Sequence, residues 1–71
     1  MKIINEWIFC NRYTSSGKLV PCAIKLNAIS EIAEYDNGCA LFIIDNDYMF
    51  ETNVDIIDAL NTLEKYLNES K

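Results

Sequence analysis

The chain has no histidine. Without an imidazole there is no Ser–His or Cys–His nucleophile and no side chain whose ordinary pKa lies near neutrality. The commonest metal ligand is missing as well. Cysteine is scarce: Cys10, Cys22 and Cys39 are odd in number and show no CxxC spacing, so neither a disulfide framework nor a zinc ribbon is expected. They read as small buried hydrophobes in a reducing compartment, which points to a cytoplasmic protein. Long apolar runs are absent too. Nothing approaches the roughly 20 apolar residues of a membrane span, and Lys2 to Glu6 interrupt the start, so no signal peptide is expected.

Positive charge is the next shortage, with six Lys and Arg against eleven Asp and Glu for a net charge of −5. The balance is uneven along the chain. Residues 1–30 hold Lys2, Arg12, Lys18 and Lys25 against Glu6 alone, whereas residues 31–71 hold Lys65 and Lys71 against ten acids. A duplex-binding protein needs a broad basic face to meet phosphates, so duplex nucleic acid is not an expected partner. A small anion held locally by the N-terminal half is compatible with the split.

What is present is enough apolar residue for one core, 51% of 71 residues. A single domain of this size sits where burial and ordering entropy nearly cancel. With disulfides set aside, self-association is the expected source of extra stability, and a homo-oligomer is the expected state.

The secondary structure follows from periodicity and turn residues. Ile3–Cys10 reads as one strand centred on Trp7, Ile8 and Phe9, followed by a polar loop over Asn11–Lys18. Leu19–Leu26 reads as the returning strand, with Val20, Cys22, Ile24 and Leu26 on one face. Pro21 has no N–H to donate, which puts that strand at an edge or gives it an irregular start. Residues 27–35 read two ways, as a helical turn or as a strand from about Ser30 after a bend at Asn27-Ala28. Asp36-Asn37-Gly38 favours the strand, because Asn-Gly suits a type I′ hairpin turn and a hairpin needs a strand on each side. Cys39–Ile44, apolar throughout, is the partner and is expected to be buried on both faces. Asp45-Asn46-Asp47 forms the next break, and Tyr48–Glu51 the last strand.

Thr52 with Asp55 three residues on resembles a capping box, with Asn53 an alternative N-cap. Ile56, Leu60, Leu63 and Leu67 then form an apolar helical stripe, widened by Ile57 and Ala59, with Asp58 near the positive end of the helix dipole and Lys65 near the negative end. The expected fold is α+β, a small antiparallel sheet of four or five strands with one C-terminal amphipathic helix on one face.

No constellation of catalytic type appears, and no enzyme activity, metal or cofactor is expected. Asp45-Asn46-Asp47 starts like a calcium loop, but position six is Phe50 and position twelve Ile56, where glycine and glutamate are needed. Ser15-Ser16-Gly17-Lys18 lacks the first glycine of a phosphate loop, that place being held by Arg12. Glu31, Glu34 and Asp36 read as solvated charges. As a binding surface the same loop is richer. Arg12 and Lys18 suit a phosphate, Thr14, Ser15 and Ser16 supply hydroxyls, and Tyr13 or Trp7 could stack on a base. Trp7, Arg12, Tyr13, Thr14, Ser15, Ser16 and Lys18 are therefore the candidate ligand-binding residues.

From Leu26 onward the chain resembles the small FlbD-type proteins of flagellar loci. The residues that carry the likeness are Leu26-Asn27-Ala28-Ile29-Ser30-Glu31-Ile32, a glycine-containing hairpin, and Phe50-Glu51-Thr52-Asn53-Val54-Asp55-Ile56-Ile57 opening the last helix, within residues 20–67. In size, acidity and single-domain form the chain also looks like an accessory protein of a bacteriophage. Those likenesses imply a small binding protein, one that sequesters a nucleotide-like anion or blocks a host protein. The alternative is a FlbD-like adaptor that binds only protein.

Overall fold

The computed structural model describes residues 1–45 and 48–69. Asn46 and Asp47, the middle of the expected Asp-Asn-Asp break, lie outside the described residues. In chain order the elements are β1 (Lys2–Ile4), β2 (Trp7–Tyr13), β3 (Leu19–Lys25), a 3₁₀ turn (Leu26–Ala28), β4 (Ile29–Glu34), β5 (Cys39–Ile44), β6 (Tyr48–Asp55) and the helix α1 (Ile56–Glu69). The fold is α+β, and every strand pairing is antiparallel. The strands follow the order β1-β2-β6-β5-β4, with β3 on β2.

Among the described residues there are six strands rather than four or five because the segment read as one strand is a hairpin. Asn5 and Glu6 both take positive φ, 51° and 67°, which makes a two-residue turn closed by Ile4 opposite Trp7. A glutamate seldom adopts that conformation. Glu6 is held there from outside the turn: its N–H donates to the Tyr66 phenol oxygen at 3.0 Å, and its carbonyl accepts from Leu26 N–H at 2.8 Å.

Two other hairpin tips share one construction. Gly17 N–H donates to the Thr14 carbonyl and Gly38 N–H to the Tyr35 carbonyl, each at 2.9 Å. Both glycines have positive φ, 86° and 84°, and Asn37 does not. The Asp36-Asn37-Gly38 hairpin is thus a three-residue loop ending in a glycine bulge and not the expected type I′ turn. Between the first of these tips and its base, Thr14 N–H bonds Lys18 O and Leu26 N–H bonds Glu6 O. Antiparallel alternation then makes the even-numbered pairs of β2–β3 the hydrogen-bonded ones. Pro21, opposite Asn11, turns its missing N–H to the open edge, as its placement in an edge strand requires.

Strand β6 carries the fold's corner. It pairs with β5 through Tyr48–Glu51, with β2 at Thr52 opposite Arg12, and with β5 again at Asp55 opposite Cys39. Between Leu41↔Glu51 and Cys39↔Asp55 the register slips, so that Thr52, Asn53 and Val54 bulge against Ala40 alone. Thr52 closes the gap: its hydroxyl donates to the Ala40 carbonyl at 2.9 Å and accepts from Val54 N–H at 3.2 Å. Thr52 is fully buried, and among the described residues no buried side-chain polar atom lacks a partner. The helix consequently begins later than its sequence signals suggest. Thr52 and Asn53 belong to β6, and Asp55 is the N-cap, its Oδ1 accepting from Ile57 N–H at 3.1 Å.

The core consists of Ile8, Ala40, Phe42, Val54, Ile56 and Ala59, with Phe50 edge-on to Phe42 at 5.8 Å. Strand β5 buries Ala40 and Phe42 fully, while Leu41 and Ile43 on its other face are only half-buried, short of the double burial expected. The helix buries Ile56 and Ala59 and half-buries Leu63 and Tyr66. Ile57, Leu60 and Leu67, expected on its core stripe, are exposed. Lys65 falls just before the last helical turn rather than in it.

Candidate functional site

The expected binding loop does not stay together as one site. Asn11, Arg12 and Tyr13 lie in β2, and the tip is only Thr14–Lys18. Thr14 and Ser16 share a hydroxyl–hydroxyl bond of 2.9 Å, and Thr14 Oγ1 also accepts from Lys18 N–H at 3.2 Å. Two of the three hydroxyls are thereby occupied in shaping the turn. Trp7 is not beneath the tip. It starts β2 while Tyr13 ends it, about 20 Å away at ~3.3 Å per residue.

What forms beside the tip is a groove of about 410 Å³ lined by Tyr13, Thr14 and Ser15 with Tyr35, Tyr48 and Glu51, among others. Arg12 touches two of its walls: its guanidinium sits 5.6 Å from the Phe50 ring centre, and Nη1 donates to the Tyr48 hydroxyl at 3.5 Å. Ser16 and Lys18 do not line it. The groove is aromatic with an acid in its wall. The Glu51 carboxylate, with Asp36 behind it, holds the Tyr35 phenol above the ordinary tyrosine pKa. Such a wall favours a stacked ring and opposes a phosphate. Tyr35, Tyr48 and Glu51 carry no local signal of this role. Only the long-range register of β6 and β4 on β5 brings them to Tyr13.

The larger feature is the outer face of β1, β2 and β3. Alternation puts Lys2 and Ile4, Trp7, Phe9, Asn11 and Tyr13, then Leu19, Pro21, Ala23 and Lys25 on one side, in matched register. Ile4, Trp7, Phe9 and Leu19 there remain 40–48% exposed. Lys25 Nζ lies 5.2 Å from the Trp7 ring centre, and among the described residues no acid of β1–β3 stands on this face. An apolar centre with a cationic border results. The exposed side of α1 is its counterpart. Ile57, Leu60 and Leu67, 43–61% exposed, share a helical stripe with Glu64.

At the margin of the sheet face, Met1, Phe9, Cys10, Pro21, Cys22 and Val54 are among the walls of an open cleft of about 640 Å³. All three cysteines are free and half-buried rather than buried. Cys10 and Cys22, partners in the β2–β3 register, have sulfurs 3.7 Å apart. Burial, with Cys22 beside it, pushes the Cys10 thiol up to about 12. Among the described residues no cluster of His, Cys, Asp and Glu is arranged to hold a metal ion, and no helix is long and apolar enough to cross a membrane.

Set against protein-family models, curated proteins and solved structures, the chain matches none. The surfaces themselves must carry the functional argument.

Proposed function

We propose that the protein is a small non-enzymatic binding module of the cytoplasm that works as a homo-oligomer, the β1–β3 outer face of one copy receiving helix α1 of the next. The observation that carries this reading is the pair of unlike surfaces on one chain. One is apolar and edged by Lys2 and Lys25; the other is an apolar helical stripe that bears Glu64. Apolar area left in water is the main driving force for association, and the attraction of Glu64 to the lysines helps fix orientation. A contact between two different patches is heterologous and closes into a ring when its rotation permits. Either setting the sequence resembles, a phage accessory protein or a FlbD-like adaptor, would use such a face to block or bridge a protein.

Sedimentation equilibrium of Phe9→Asp, Ile57→Asp and their mixture tests the reading. Each variant alone should be monomeric. The mixture should form heterodimers, because one intact sheet face still meets one intact helix. Association of each variant as strong as wild type, or a mixture that stays monomeric, rejects the head-to-tail arrangement.

Sequestration of a nucleotide-like anion is the second reading, favoured by Tyr13 and Tyr48 in one groove with Arg12 bonded to the Tyr48 hydroxyl, and opposed by Glu51 in the same groove. Calorimetric titration of cyclic and linear nucleotides against wild type and Arg12→Ala decides it. Binding that Arg12→Ala abolishes supports it, and absence of binding removes it.

A further inference from the structure

We propose that Cys10 and Cys22 form a reversible dithiol–disulfide site, oxidised by small disulfides such as glutathione disulfide that enter through the adjoining cleft. The two residues face each other across β2 and β3, their sulfurs are at contact distance, 3.7 Å, and both line the open cleft of about 640 Å³. Cys39, on β5, lines no part of that cleft. Accessibility and pairing therefore select two thiols of three.

The exchange balances without any further reactant. The thiolate of one cysteine attacks a sulfur of glutathione disulfide, joining glutathione to the protein and expelling one glutathione thiolate. The thiolate of the other cysteine attacks the protein sulfur of that mixed disulfide and expels the second glutathione thiolate. The two cysteine protons end on the two glutathiones. The protein loses two electrons and glutathione disulfide gains them.

The register also sets the character of the bond. Cys10–Cys22 is a hydrogen-bonded pair of the β2–β3 ladder, where Cα atoms stand about 5.5 Å apart and Cβ atoms are held wider than the ~3.8 Å typical of a disulfide. Closure has to draw the strands together, so the bond is readily reduced, in keeping with a reversible site rather than a structural one. The high pKa of Cys10 keeps its thiol protonated at neutral pH. The closing step should accelerate as pH rises.

The test equilibrates the folded protein with glutathione redox buffers, then traps free thiols and maps them by intact-mass and peptide mass spectrometry. The expected product is a Cys10–Cys22 bond within one chain, with Cys39 alone trapped, so that three reactive thiols fall to one, and reduced glutathione restores all three. Cys39→Ser should form the same bond, which keeps the test independent of whether Cys10→Ser or Cys22→Ser folds. Three trapped thiols after exposure to excess glutathione disulfide would overturn the proposal. So would a stable glutathione adduct, or a bond that uses Cys39. Lys2, Ile4, Phe9 and Pro21 of the cleft also belong to the face proposed to receive the next copy. The exchange is therefore run on Ile57→Asp as well, whose cleft is intact and whose helix cannot cover it. The same bond forming there keeps this outcome separate from that of self-association.

Discussion

Substitution of Thr52 tests the corner of β6 and, with it, the account of where the helix begins. Valine matches threonine in shape, so Thr52→Val keeps the buried volume and removes only the hydroxyl. Two backbone groups lose their partner: the Ala40 carbonyl, which the bulge takes out of the ladder, and the Val54 N–H. An unsatisfied buried group costs about 1–3 kcal/mol, and the added apolar methyl returns part of that. The net loss should be about 2–4 kcal/mol, against roughly 4–10 kcal/mol for a whole domain of this length. Thr52→Ser keeps the hydroxyl and loses one methyl, about 1 kcal/mol. Thr52→Asn is the discriminating change. Asparagine is among the best N-caps, so it would be harmless if Thr52 capped α1, whereas in a fully closed corner it must displace its neighbours. Urea unfolding with an unchanged m-value reads all three. The order of stability should be Ser above Val above Asn. An Asn variant as stable as wild type would refute the corner.

Asp55→Ala should cost about 0.5–2 kcal/mol as loss of the helix cap, and Asn53→Ala, at an exposed strand position, under about 0.5 kcal/mol by the same urea assay. Ile56→Ala should cost about 2–5 kcal/mol and Leu60→Ala clearly less, because Ile56 is buried and Leu60 is exposed; equal losses would place the helix face wrongly. Alkaline stability should follow Cys10. Its thiol rises from 9.0 to about 12 on folding, so the folded state favours the protonated form; that contribution is complete below pH 9 and is lost as pH climbs towards 12. Denaturation across that window should show the loss in wild type and a weaker one in Cys10→Ala.

Local chemistry made much of this fold legible. Pro21 marked an open edge because a missing N–H must point away from a neighbour, and Gly38 marked a hairpin because only glycine takes its φ cheaply. The strand from Ile29 and the bend before it followed once that hairpin was placed. Two misreadings share a cause, which is tertiary use of a residue with more than one local role. Glu6 turns the chain with help from Tyr66, sixty residues away, and no neighbouring residue announces it. Thr52 has the hydroxyl that capping needs, but the β6 bulge claims it. The candidate site dispersed for a related reason. Composition grouped Trp7 with the polar tip, while a strand carries its ends far apart. The Cys10–Cys22 pairing was within reach of the sequence, since a turn closed by Thr14 and Lys18 sets every pair below it.

Trp7 is the only tryptophan and stands on the middle strand of the outer sheet face, partly exposed and next to the Lys25 border, which makes its fluorescence a direct probe of the central claim. Acrylamide quenching measured across a wide range of protein concentration should fall as concentration rises, since the arriving helix covers the indole. Added salt should move that transition to higher concentration by screening the Lys2 and Lys25 border. Phe9→Asp should keep strong quenching throughout. Quenching of wild-type Trp7 that stays equally strong from the lowest to the highest concentration would contradict the claim that this face is where the molecule binds its next copy.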